Sequence, residues 1–216
     1  MKPEEHIFPR RQKPMQLDCQ SLRNTQYNLQ TIAENLSRIY RYNACSNISV
    51  LSHSMALADF FLFSNWSNAN HALLERAGLA IVALLHDAHE AYLGDIALPM
   101  KRFVRDEYAV ARTECQYEIE LQWLPLFIFQ NYSAFEFTVH VFDKAIVVEE
   151  IQRADGLATP YPEDGAQRHS PEAVLLVDFF NSWDSFEKRG NKPHVFLDLF
   201  HYCKAIIENE TKTLSK

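Results

Sequence analysis

Glycine is scarce, with five residues in 216. None of the five falls in a GxGxxG, GxxxxGKS or GxxxxGKT run. The loops that wrap phosphates in bare backbone amides are therefore missing. Positive charge is also short: 21 Lys and Arg stand against 28 Asp and Glu, a formal net charge of -7. Broad nucleic-acid binding needs a basic surface, so no nucleic-acid partner is expected. Any phosphate must be held by a few local cations or by a metal. The four cysteines, Cys19, Cys45, Cys115 and Cys203, form no CxxC pair. That spacing excludes a zinc ribbon, a redox pair and a dense disulfide scaffold. Long apolar runs are missing too. The longest lies around Leu124 to Phe129, too short to cross a bilayer. The opening Met-Lys-Pro-Glu-Glu-His lacks the apolar stretch of a secretory signal. These absences lead to the expectation of a reduced, cytoplasmic protein with no membrane partner.

What is present is an ordinary globular balance, 47% hydrophobic and 23% charged, which argues against disorder. The length fits one domain with a sizeable core. Residues 1–18 hold three prolines and mixed charge and read as an irregular arm, leaving 19–216 as a single domain. From Asn28 to Tyr40, Leu29, Ile32, Ala33, Leu36 and Ile39 recur at helical spacing. Ser49 to Phe63 is the next predicted helix. Asn70 to Tyr92 reads as one long apolar helix, broken by Gly94 and Pro99. Further helices are expected over Arg102–Trp123, Ala134–Arg153, Pro171–Trp183 and Lys192–Glu208, with a loop over Thr159–Pro171. No strand alternation appears. The expected fold is all-α, a compact bundle of packed helices.

Chemistry is suggested by His53, His86-Asp87 and Asp143. Each occupies an otherwise apolar helical face. Burying an imidazole or a carboxylate costs several kcal/mol unless it is paired, hydrogen-bonded or bound to a metal. Three separate helices each bring such a group inward, and one shared divalent ion would satisfy them all. Two imidazoles and two carboxylates suit first-row ions without selecting one. Any one of these residues taken alone would read as a structural group.

The segment His86-Asp-Ala-His-Glu-Ala-Tyr-Leu-Gly-Asp95-Ile-Ala-Leu-Pro-Met-Lys101 resembles the HD-domain phosphohydrolase superfamily. Within that superfamily it is similar to small nucleotidases whose motif reads HDAxEAYLGDIxxPxK. Arg41-Tyr42 and Ser-Val-Leu-Ser-His53 upstream, with Phe142-Asp143-Lys-Ala and Glu149-Glu150 downstream, fall in order around it. The resemblance covers roughly residues 30 to 155. It departs at Asn43-Ala44-Cys45, where many relatives have a Gly-rich turn. It implies that His53, His86, Asp87 and Asp143 are metal ligands for Zn, Co or Mn, with no organic cofactor. It also implies that Glu90 or Asp87 orients or deprotonates the attacking water. Asp95 would contact the substrate or a second metal, or else cap a helix. Arg41, Lys101 and Arg38 are the candidate phosphate holders, with Arg38 and Arg41 competing for one role. Ile39 and Tyr42 are candidate base-pocket walls, although Ile39 also suits core packing. His89 is extra to the motif and is expected on the outer face or at the cleft rim.

The relatives so implied are phage dATP triphosphohydrolases and bacterial 5'-deoxynucleotidases. The expected activity is hydrolysis of a deoxynucleoside triphosphate, dATP first, to deoxynucleoside and triphosphate. The alternative is a 5'-deoxynucleotidase acting on monophosphates. A third reading is a metal-stabilised helical binding module without activity, against which intact Glu90 and Asp95 count. Resemblance further implies a homo-oligomer, located in the host cytoplasm if phage-encoded.

Overall fold

The computed structural model describes residues 19–41, 48–96, 106–153, 185–186 and 190–214. Among them the chain is helical, with no strand beyond one isolated antiparallel bridge between Tyr40 and Ser49. The fold is all-α. The expected arm over 1–18, the loop over Thr159–Pro171 and the whole of the helix over Pro171–Trp183 lie outside the described residues, as do Tyr42 and Lys101.

Ten helices follow one another among the described residues. They are α1 (Cys19–Arg23), α2 (Leu29–Leu36), α3 (Val50–Phe63), α4 (Asn65–Asn70) and α5 (Leu73–Leu85), then α6 (Glu90–Leu93), α7 (Asp106–Trp123), α8 (Leu126–Gln130), α9 (Tyr132–Arg153) and α10 (Lys192–Leu214). The centre is α3 against α5. Both are apolar nearly all round and buried along almost their whole length, the pattern of helices with no face for solvent. α10 covers this pair with a single stripe, Phe196, Phe200, Cys203 and Ile207, and α9 packs on α5 from another direction. α1 and the chain after it are clamped to α7. Arg23 holds Glu114 through two bonds of 2.9 Å, and Trp123 Nε1 donates to the Tyr27 carbonyl.

Local chemistry sets the ends of the helices that matter for the site. Asn28 caps α2 by accepting from the Thr31 N–H. Ser49 caps α3, accepting from the Ser52 N–H at 3.2 Å. Just ahead of that cap, Arg41 N–H donates to the Ile48 carbonyl and Val50 N–H to the Ile39 carbonyl, each at 2.9 Å. These bonds fix Arg41 beside the first turn of α3.

The predicted helix over Asn70–Tyr92 is not one helix. It divides into α5, a turn over 86–89 and α6. At its start, Glu75 accepts from the Ala72 N–H and caps α5. After Leu85 the bonding tightens: Ala88 N–H donates to the Leu85 carbonyl, Glu90 N–H to Asp87 and Ala91 N–H to Ala88. Bonds to the third residue back are the 3₁₀ pattern, which frequently marks functional hinges inside helices. α6 then stops at Gly94, whose φ of 79° and ψ of 157° suit a residue without a side chain. The predicted helix ending at Tyr40 stops earlier, at Leu36, because Ile39 to Arg41 turn to meet the segment ahead of α3. No helix among the described residues is long and apolar enough to cross a membrane.

Ser49 is fully buried and also shares a 2.9 Å hydroxyl contact with Ser52. Losing such a cap costs about 0.5–2 kcal/mol. Ser49→Ala should therefore lower unfolding stability by about 1–2 kcal/mol, seen as a lower denaturant midpoint at unchanged slope. An unchanged midpoint would show that the α3 cap does not contribute.

Candidate metal centre

Three helices deliver the side chains. His53 comes from the second turn of α3 and has no exposed surface. His86 and Asp87 come from the turn that ends α5, and Asp143 from α9. His53 Nε2 lies 2.9 Å from Asp143 Oδ1, and His86 Nε2 lies 3.0 Å from Asp87 Oδ2 and 3.9 Å from Asp143 Oδ1. Ligand atoms of His53, His86 and Asp87 all fall within 4.8 Å of one another. Arg41, itself buried, spans the two carboxylates, with Nη1 3.6 Å from Asp87 Oδ2 and Nη2 3.7 Å from Asp143 Oδ1.

One hydrogen bond decides how His86 is presented. Its Nδ1 lies 2.7 Å from the Ala83 carbonyl oxygen. A carbonyl only accepts, so Nδ1 carries the hydrogen and Nε2 faces the carboxylates. In the neutral ring that places a lone pair 3.0 Å from a carboxylate oxygen. Such a contact is repulsive unless a proton or a cation lies between. The donor set of two imidazole nitrogens and two carboxylates fits a divalent first-row ion. His53, His86, Asp87 and Asp143 are the residues that could hold it, and an imidazole anchored on a carbonyl is the usual support for a metal-ligating histidine.

Without an ion, the charges compensate one another. Burial pulls the His86 imidazole down, but Asp87 and Asp143 outweigh it and raise the pKa to about 9. Burial pushes the Asp143 carboxyl up, yet the His53 hydrogen bond and charge, with His86 and Arg41, bring it down to about 2. Asp87 is likewise pushed up by burial and held well below the usual carboxylate range by His86 and Arg41.

Glu90 opens α6 and is buried. Beyond Gly94, Asp95 is half-buried. Both lie near Tyr108, whose phenol is pushed up by burial and then by the charges of Glu90 and Asp95. Tyr108 also donates to the Gly94 carbonyl at 3.2 Å. Asp95 is not among the residues whose ligand atoms cluster. Arg38 is exposed in the turn after α2. Ile39 packs against the core, the structural role the sequence also allowed for it.

His89 is where the structure departs most from the sequence. It is 2% exposed, not on the outer face. A ring nitrogen of His89 clusters with carboxylate oxygens of Asp87 and Glu90. Burial pulls its pKa down to about 4, against the opposing charge of Asp87, so the ring is neutral at pH 7. Gln116 and Glu120 on α7, and Tyr132 at the start of α9, support it and were not flagged by the sequence. Gln116 Oε1 lies 3.0 Å from His89 Nδ1, and its Nε2 donates to Glu120 at 2.5 Å. Glu120 also accepts from the Tyr132 hydroxyl at 2.5 Å. The mixed sequence of α7 has no clear apolar stripe, so nothing in it sets Gln116 and Glu120 apart from solvated residues.

The chain was compared with family models, with curated proteins and with solved structures, and it matches none of them.

The pKa directions set a pH window for the metal-free protein. His86, raised from 6.5 to about 9, adds stability that is complete below pH 6.5 and is lost as the pH rises through 9. Asp143, lowered from 3.8 to about 2, adds stability present above pH 3.8 and lost as the pH falls through 2. In the presence of a chelator, urea unfolding should show stability falling between pH 6.5 and 9, and His86→Gln should flatten that fall. An unchanged slope in the variant would contradict the ion-pair account of the metal-free cluster.

Proposed function

We propose that this chain is a divalent-metal-dependent phosphohydrolase of deoxynucleotides, of the HD-domain kind. One observation carries the reading. His53, His86, Asp87 and Asp143 converge from three helices beside a buried arginine, with Glu90 buried next to Asp87. The motif over His86–Lys101 supports the same reading from the sequence side. A purely structural ion would need neither Arg41 between the carboxylates nor Glu90 alongside them.

His53, His86, Asp87 and Asp143 would hold the ion. When bound, a divalent ion supplies a water of lowered pKa and polarises a phosphoryl oxygen. Glu90 accepts a proton from the attacking water, with Asp87 orienting it. The water oxygen bonds to the phosphorus nearest the sugar, the bond from that phosphorus to the 5' oxygen breaks, and the 5' oxygen leaves with a proton as the nucleoside hydroxyl. Arg41, beside both carboxylates, would pair with phosphate oxygens through its fork of donors.

The substrate of first choice is a deoxynucleoside triphosphate, dATP before the others, giving deoxynucleoside and triphosphate. A 5'-deoxynucleoside monophosphate is the second reading, and one feature favours it. Among the described residues, Arg41 is the one Lys or Arg within ion-pair distance of Asp87 or Asp143. A single such cation matches a small phosphate load. Assembly as a homo-oligomer and a cytoplasmic location rest on the resemblance alone.

Product analysis tests the reading. Each dNTP and dNMP is incubated with protein and Mn²⁺, Co²⁺ or Zn²⁺, and the products are separated. Free deoxynucleoside is the expected product, with triphosphate from dATP. A deoxynucleoside diphosphate product, or no turnover of any deoxynucleotide, would contradict it. In the same assay Glu90→Gln should keep its metal and lose about a hundredfold or more in turnover, the usual range for general-base help. Near wild-type turnover would remove Glu90 from the chemistry.

A further inference from the structure

Beside the first cluster lies a second group of ligand-type side chains. A ring nitrogen of His89 and carboxylate oxygens of Asp87 and Glu90 fall within 4.8 Å of one another. Neighbouring carboxylates alone would mean little, because acidic residues often cluster without binding anything. His89 is different, since the hydrogen bonds around it determine which nitrogen it can offer.

The orientation of Gln116 is fixed by two backbone groups. Its Nε2 sits 2.8 Å from the Leu85 carbonyl, which can only accept. Its Oε1 sits 3.2 Å from the His89 backbone N–H, which can only donate. The amide can therefore face just one way. Glu120, held in turn by Tyr132, accepts from the same Nε2 and reinforces that choice. Gln116 Oε1 is thus an acceptor, and the His89 Nδ1 at 3.0 Å must carry the hydrogen. The lone pair of the neutral ring is on Nε2. Among the described residues no hydrogen bond reaches that Nε2, which keeps some solvent access within a largely buried side chain.

His86 is built the same way, with Nδ1 donating to the Ala83 carbonyl and Nε2 turned to the first cluster. Two histidines three residues apart thus carry the support typical of metal ligands. Asp87 meets His86 and Arg41 through Oδ2, which leaves Oδ1 for a neighbour. We propose that Asp87, His89 and Glu90 form a second divalent-cation site, with His89 Nε2 as its nitrogen ligand and Asp87 shared between the two sites. The proposal rests on reading the first cluster as a metal site. Glu90 then places one oxygen on the second cation and turns the other toward the water. An imidazole with two carboxylates suits Mn²⁺ or Zn²⁺.

Mn²⁺ bound per chain tests this, measured by equilibrium dialysis with elemental analysis on wild type, His53→Ala, His89→Ala and Gln116→Ala. Circular dichroism confirms that each variant is folded. Two equivalents are expected for wild type and one for His89→Ala. Gln116→Ala keeps the imidazole but frees its orientation, so the second equivalent should bind tenfold to a hundredfold more weakly. This variant also keeps the test decisive if His89→Ala fails to fold. A single equivalent in wild type that is lost in His53→Ala and kept in His89→Ala would overturn the second site and leave the first standing. No bound Mn²⁺ in wild type would overturn both. Two equivalents in His89→Ala, or unchanged affinities in Gln116→Ala, would show that His89 is not a ligand.

Discussion

The candidate centre depends on the desolvation of a few charged groups. Two carboxylates, two imidazoles and a guanidinium meet where α3, the end of α5 and α9 converge. A buried charge left unpaired costs several kcal/mol. The helices that carry these groups must therefore be placed so that each charge finds its partner. α3 has almost no polar surface of its own and is forced into the interior, taking His53 with it. Arg41 cannot drift from the carboxylates because the short pairing of 39–41 with 48–50 ties it to the start of α3.

The supporting hydrogen bonds matter as much as the charges. Ala83 sets the face that His86 presents, and Gln116 does the same for His89. Gln116 is itself pinned by Leu85, Glu120 and the His89 backbone. This links α7 and the start of α9 to the turn at 86–89. Glu120 is pushed up by burial against the lowering effect of its bonds from Tyr132 and Gln116, so α7 also carries a carboxyl removed from water. A polar network in low dielectric is rigid when every member is satisfied and costly when one is not. Here it orients side chains that face the candidate centre rather than tying α7 to bulk solvent.

Much of this could be read from the sequence where spacing and composition agree. The run from Ser49 to Phe63 has a serine cap and a solid apolar body, and the helix forms over Val50–Phe63. The inward faces of His53, His86 and Asp143 could be read from the apolar residues around them. What could not be read was the break after Leu85. Ala, Leu and Glu on both sides of 86–89 are good helix formers, so composition gives no sign of the switch to 3₁₀ bonding there. His89 was misplaced for the same reason, because a regular helix would rotate it away from Asp87. Gln116 and Glu120 sit in a helix with no clear apolar stripe, where a glutamine and a glutamate look like solvated residues. Only the approach of the 86–89 turn makes them interior.

We propose that His53, His86, Asp87 and Asp143 hold a divalent ion. The most direct measurement is anomalous scattering from crystals of the protein grown with Zn²⁺, recorded on both sides of the zinc absorption edge. The expected result is an anomalous peak within about 2.0–2.2 Å of Nε2 of both histidines and of an oxygen from each aspartate, with Arg41 displaced from the carboxylates. Zinc elsewhere on the surface, with His86 Nε2 still 3.0 Å from Asp87 and nothing between them, would contradict it.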